Sequence, residues 1–209
     1  MIHRAIEERI HNALAKKKAV TIMGPRQVGK STLADAIIPK DARILEINGD
    51  NTDVQTMFIN VDEAKMKVLI GNKNFLFVDE AQKIENVGNM LKIVAEKFKD
   101  VKIIVTGSSA FKLAEAVNES LTGRKREFRL YPLSFKEMAD ETSTLEESRM
   151  IDHRLIYGYY PEVVTSPGDE KEVLKELIDS YLYKDVMEEN NIAKPDKLVK
   201  LVQALAFQI

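Results

Sequence analysis

Eight consecutive residues carry the clearest chemistry in this chain: Gly24-Pro25-Arg26-Gln27-Val28-Gly29-Lys30-Ser31. They fit the phosphate-binding pattern G-x-x-x-x-G-K-[ST]. An apolar run, Ala19 to Met23, precedes them and reads as a buried strand, while Thr32 to Ile38 follows and reads as a helix. A phosphate needs several backbone N–H groups aimed at one point, and a glycine-bracketed loop running into a helix N-terminus supplies them. The stretch from Gly24 to Thr32 would surround the phosphates. Lys30 would add a point charge for the outer phosphates, and the Ser31 hydroxyl could ligate Mg²⁺. The alternative is a chance match, against which the strand before and the helix after both weigh. Arg26 is near phosphate by construction, or its side chain points outward.

A second constellation follows one βαβ-scale interval later. Phe75-Leu76-Phe77-Val78 ends in Asp79-Glu80. An unbroken apolar run suits a central parallel strand covered on both faces. Carboxylates at its end would lie at the rim where ligands bind in open α/β sheets. Asp79 would hold Mg²⁺, directly or through water. Glu80 could accept a hydrogen bond from an attacking water and polarise it. Without the loop, the pair would read as two solvated carboxylates at a strand end.

Two further features are weaker. Thr106-Gly107-Ser108-Ser109 ends the strand Val101–Thr106, so that Ser108 could hydrogen-bond a γ-phosphate or the lytic water. An ordinary turn or helix cap is the other reading. Arg124 follows Gly123 and precedes a last strand, Glu127 to Leu130. A guanidinium there could reach a γ-phosphate in its own subunit or a neighbour's, or it belongs to a solvated basic turn, Arg124-Lys125-Arg126. His3, His11 and His153 have no ligand spacing.

Composition limits the alternatives. The chain has 209 residues, 44% hydrophobic and 31% charged, enough for one substantial domain and an accessory piece. Net charge is −2, which gives no electrostatic case for nucleic acid or an acidic membrane. There are no cysteines, so disulfides and thiolate chemistry are excluded. The first ten residues are charged and carry no apolar signal core, and no apolar run is long enough to span a bilayer, so the expected location is cytoplasmic.

The elements that must position these residues alternate. Ile2, Ile6, Ile10 and Leu14 predict an amphipathic helix closed by Lys16-Lys17-Lys18. Residues 43–48 predict a strand, 52–70 helix in pieces, and Val87 to Phe98 an amphipathic helix. A short helix is expected around 111–120. From Leu133 onward helices are expected near 134–141, 145–157, 169–190 and 195–209, with a break at Gly158-Tyr159-Tyr160-Pro161. The third carries a stripe that runs through Val173, Leu174, Leu177, Ile178, Tyr181, Leu182 and Val186. This order predicts a parallel α/β sheet flanked by helices, then an all-helical annex. The final helix, apolar to Ile209, lacks a stop signal, so it either docks on the body or opens a longer protein.

These residues resemble the prokaryotic AAA+-superfamily ATPases found with a C-terminal DUF4143 domain. The resemblance rests on the loop octet, Phe77-Val78-Asp79-Glu80-Ala81-Gln82, Thr106 to Ser109, Leu121-Thr122-Gly123-Arg124, Leu130-Tyr131-Pro132-Leu133-Ser134-Phe135 and Gly158-Tyr159-Tyr160-Pro161-Glu162. It implies a Walker A motif at Gly24–Ser31, Walker B at Asp79-Glu80, a sensor-1 residue near Ser108, and a P-loop NTPase sheet of order 5-1-4-3-2. Pro161 is similar to a proline that approaches the nucleotide in signalling P-loop NTPases, although Tyr159 stands where a second glycine is usual. The implied organisation is a core at 1–132, a lid-like helical subdomain at 133–193, and at 194–209 the first helix of a truncated winged-helix-like domain.

The leading expectation is therefore a Mg²⁺-dependent ATPase whose nucleotide state moves the helical annex. The alternative is a nucleotide-gated interaction switch with little turnover. A small-substrate kinase fits less well, because Glu80 beside Asp79 suits water activation. DNA binding through this fragment is the weakest option, given the near-neutral charge. A homo-oligomer would make Arg124 a finger in trans, and any protein client stays unnamed by these residues.

Overall fold

The computed structural model describes residues 2–59, 61–108, 120–179 and 195–207. Ser109 and Ala110, nearly all of the helix expected near 111–120, the stretch 180–194 with Tyr181, Leu182 and Val186, and the last two residues lie outside that set. Within it the chain forms two compact units, Met1–Glu147 and Ser148–Ile209.

The first unit is built on five strands: β1 Ala19–Met23, β2 Ile44–Asn48, β3 Phe75–Asp79, β4 Lys102–Gly107 and β5 Lys125–Arg129. They lie in the order β2-β3-β4-β1-β5, and every neighbouring pair is parallel. This is the expected 5-1-4-3-2 order counted from the other edge. β1 and β3 are apolar runs because both faces of the sheet are covered. Val20, Ile22, Phe75, Phe77, Ile104 and Phe128 pack with helices α1 (Glu7–Ala15) and α2 (Lys30–Ile37) on one side. Met23, Ile47, Leu76, Val78 and Val105 pack on the other side with α4 (Glu63–Ile70) and α5 (Val87–Lys97), while α3 (Thr52–Phe58) adds Phe58. The period-2 alternation of strand side chains sorts neighbours in sequence onto opposite cores.

Register aligns the functional ends. Met23 pairs with Gly107 and Arg129, and Asn48 pairs with Asp79. The carboxyl ends of β1, β3 and β4 therefore form one rim.

Helix α1 begins at Glu7, later than the apolar spacing from Ile2 predicts. The Arg4 N–H is taken by Glu7 Oε1 at 2.6 Å, and the Arg4 side chain turns inward instead of continuing a helical face. Helix α6 (Phe135–Glu141) starts with a capping box: the Ser134 hydroxyl accepts from the Glu137 N–H, and the Glu137 carboxylate accepts from the Ser134 N–H. The single helix expected near 145–157 is two, α7 Thr144–Arg149 and α8 Ile151–Tyr157.

The second unit has α9 Pro161–Thr165 and α10 Glu170–Leu177, which pack together, and α11 Pro195–Ala206. Pro161 occupies the first helical position, where its missing N–H costs nothing. His153 pairs with Glu170 at 3.3 Å and its ring packs on Tyr157. Among the described residues, no helix is long and apolar enough to cross a membrane.

Candidate functional site

The loop between β1 and α2 turns through two left-handed residues, Gln27 (φ 57°) and Gly29 (φ 93°). The second needs a glycine, because a Cβ at that φ is strained. The turn places the first turn of α2 at the end of β1. Lys30 is buried, and its ammonium donates to Gly24 O at 3.0 Å and Pro25 O at 2.9 Å, with Glu80 Oε1 4.0 Å away. Thr32 follows in the same turn.

A chain of side chains crosses from the loop to β3 and β4. The Ser31 hydroxyl donates to Asp79 Oδ2 at 2.9 Å. Asp79 Oδ1 in turn accepts from the Thr106 hydroxyl and from the Glu80 N–H at 3.1 Å. Thr106 is fully buried, so it holds the Asp79 carboxylate in one orientation, with Oδ2 toward Ser31.

Glu80 has a left-handed backbone, φ 47°, which turns its side chain off the strand direction. Its Oε2 accepts from the Ser108 hydroxyl at 3.1 Å and from the Gln82 amide at 2.5 Å. The same amide donates to Ser108 Oγ at 2.9 Å. Glu80, Gln82 and Ser108 thus close a small ring of hydrogen bonds.

These residues fit a nucleotide with Mg²⁺. A hydroxyl and a carboxylate oxygen 2.9 Å apart form the hard-oxygen donor pair that this ion takes, with water and phosphate completing its shell. A helix N-terminus and a buried ammonium at the same rim suit anionic oxygens.

The sheet brings Gly24–Ser31, Asp79, Glu80 and Ser108 together and leaves Arg124 out. The Arg124 carbonyl accepts from the Ala19 N–H at 2.9 Å, at the start of β1, and its guanidinium pairs with Glu96 at 2.7 Å. The hydrogen bond from Arg124 holds the Glu96 carboxyl below its ordinary value despite the opposing effect of desolvation. β5 runs parallel to β1, so a residue preceding β5 lies at the amino end of the sheet. Five strand steps of about 3.3 Å, from Arg124 to Arg129 beside Met23, put it roughly 16 Å below the phosphate rim. The expectation that Arg124 reaches a phosphate in its own subunit is corrected by that register. Pro161 belongs to the second compact unit, described above by itself.

Sequence reasoning missed three contributors. Gln82 follows Glu80 by two residues in a short turn, a spacing with no periodic signal. In the sequence Thr106 reads only as part of a strand end, with nothing to mark it as the group that orients Asp79. Arg4, one of several charges in the first ten residues, carries no signal in the sequence that it reaches the loop: its Nη1 donates to Val28 O at 3.0 Å.

Comparison with known proteins agrees with this architecture. Residues 16–139 match a family model described as an AAA domain, and residues 148–209 match a domain of unknown function, DUF8612. The chain is 28% identical over 206 residues to an uncharacterized protein of Methanocaldococcus jannaschii, covering 90% of this chain and 46% of that one. It is 29% identical over 142 residues to an uncharacterized protein of Haemophilus influenzae, covering 66% and 35%. The chain thus spans less than half the length of these relatives. Among solved structures, a signal transduction ATPase with numerous domains and a tetratricopeptide repeat sensor, from Pyrococcus horikoshii, is similar in fold. Its TM-score is 0.52 at 13% identity, over 78% of this chain and 29% of that one.

Proposed function

The chain belongs to the AAA-domain family, and on that footing we propose that it binds ATP with Mg²⁺ and hydrolyses it to ADP and phosphate. One arrangement supports this reading. Ser31, Asp79 and Thr106 form a single hydrogen-bonded chain, with Glu80 and Ser108 beside it at the same rim. Loop N–H groups from Gly24 to Thr32 would bind the phosphates, and Lys30 would exchange its two carbonyl acceptors for phosphate oxygens. Ser31 and Asp79 would hold Mg²⁺, which when bound stabilises charge on the phosphoryl oxygens. Glu80 would accept a proton from the attacking water as the new P–O bond forms. The bond from phosphorus to the bridging oxygen breaks, and its electron pair leaves with ADP. Ser108 would position that water or Glu80 itself.

Around this centre would lie a core at 1–132, a lid-like helical part at 133–193 whose residues beyond Glu147 would move with nucleotide state while Ser134 and Glu137 stay with the loop, and at 194–209 the first helix of a downstream domain. Pro161 would meet the nucleotide from the lid. Arg124 would serve only in trans, within a homo-oligomer. Membership of the DUF4143-bearing group, a cytoplasmic location and a protein client belong to the same proposal, and DNA is not proposed as a partner of this chain.

Glu80→Gln is expected to retain ATP binding and lose most hydrolysis, and Lys30→Ala to lose binding. Unchanged turnover in Glu80→Gln would sink the assignment of Glu80. A second reading, a slow nucleotide-gated switch, is favoured by one observation: Glu80 is already engaged by Gln82 and Ser108. Retained nucleotide with turnover on the order of one per hour, far below typical enzymes, would select the switch.

A further inference from the structure

We propose that Arg4 is a positioning residue for the phosphate-binding loop: with its partner Glu137 it fixes the Val28–Gly29 peptide and so sets nucleotide affinity. The inference rests on the proposed nucleotide site. Arg4 is only 7% exposed. Its fork reaches three separate elements: Nη1 donates to Val28 O at 3.0 Å, Nη2 to Tyr131 O at 2.6 Å, and Nε to Glu137 Oε1 at 3.1 Å. A planar guanidinium with fixed donors locks the relative placement of whatever it binds, which a lysine point charge does not.

Glu137 is equally committed. Oε1 also accepts from the Ala5 N–H at 2.9 Å, and Oε2 accepts from the Ser134 N–H at 2.8 Å and the Ser134 hydroxyl at 3.0 Å. The capping box of α6 therefore anchors the arginine that anchors the loop.

The link to phosphate binding is the geometry of one peptide plane. In a trans peptide the C=O and the following N–H point in opposite directions and cannot rotate separately. Holding the Val28 carbonyl from behind aims the Gly29 N–H away from Arg4, toward the side where α2 presents its first turn. Gly29 has φ 93°, and its Cβ position would be 3.7 Å from Arg4 Nη1. The arginine thus backs the residue on which the loop pivots. A group that merely filled space here would not need three directed donors.

The test uses the full chain carrying Arg4→Lys, Glu137→Gln or Arg4→Ala, with ATP and Mg²⁺ as the probe. Arg4→Lys is expected to weaken ATP binding and raise KM about tenfold, within the hundredfold that a 1 Å misplacement can cost. Its kcat at saturation should stay within about twofold, because Glu80 and Asp79 are untouched. Glu137→Gln, which keeps the shape and loses the charge, is expected to weaken binding about threefold. Dilute guanidinium should partly restore binding to Arg4→Ala. Wild-type affinity in folded Arg4→Lys, or a fall in kcat with KM unchanged, would overturn the proposal. If Arg4→Ala does not fold, the other two variants decide.

If the wild-type chain itself fails to bind ATP, the proposed function fails, and amide hydrogen exchange decides this inference alone. Faster exchange at Gly29 and Lys30 in Arg4→Lys, with Val20 to Ile22 unchanged, would support it. Equal exchange at all these amides would refute it.

Discussion

Gly49→Ala tests the placement of Glu80 from outside the motifs. Gly49 follows β2 and lies against the end of β3, where its N–H donates to Asp79 O at 2.8 Å. A Cβ at Gly49 would be 2.3 Å from the Glu80 carbonyl oxygen, 3.1 Å from its carbon and 3.2 Å from Asp79 O. Real Cβ atoms stay beyond about 3.0 Å, so one of the two backbones must retreat by at least about 0.7 Å. Both neighbours are main chain, and neither can swing aside as a flexible side chain would. Overpacking of this kind costs about 2 kcal/mol. For a chain of this size that lowers Tm by about 4–8 °C. The displaced atoms belong to the residue proposed to activate water, so kcat should fall about tenfold or more while ATP affinity, set by the loop, changes little. Thermal unfolding, ATP titration and steady-state turnover on one preparation measure all three. A variant that melts with the wild type and turns over at its rate would refute the packing of Gly49 on Glu80.

Two further predictions concern the ring of hydrogen bonds and the buried pair. Gln82→Leu removes the amide that joins Glu80 to Ser108, and turnover should drop about tenfold with KM unchanged, less than the roughly hundredfold or more of losing a general base, because Glu80 itself remains; a rise in turnover would mean that Gln82 restrains Glu80 instead. Burial works to raise the Glu137 carboxyl, but the Ala5 and Ser134 donors and the Arg4 guanidinium outweigh it and hold it below its ordinary value of 4.5. A depressed folded pKa stabilises the protein above the unfolded value, and that contribution disappears as pH falls through the folded value. The stability gap between wild type and Glu137→Gln should therefore be constant near neutrality and shrink below about pH 4.5, as followed by urea unfolding.

The sheet was legible because parallel strands covered on both faces are written as apolar runs. Ala19–Met23, Phe75–Val78 and Ile103–Val105 read that way, and the structure has strands at all three. The octet and the Asp79-Glu80 pair were legible because their chemistry is local in sequence. What escaped depends on through-space geometry. Arg124 lies one residue before a strand, but sequence does not say which end of the sheet that is; parallel register against Ala19 does. The Arg4 contact joins residues 133 positions apart, and no spacing rule connects them. The split of the helix expected near 145–157 falls at Met150, a residue with no breaking signal of its own.

The outermost strand bears on how copies of this chain could meet. Among the described residues β5 pairs with one strand only, β1, and it carries Lys125, Arg126, Glu127 and Arg129 in a run of five residues. Edge strands rich in charge resist pairing with the edge of another molecule, because the incoming strand would have to strip water from those groups. Growth of the sheet from one subunit into the next is disfavoured at that border. Any ring or pair that puts Arg124, the residue directly before β5, to use on a neighbouring nucleotide across that border would then have to be built from helix and loop surfaces rather than by extending the sheet over β5.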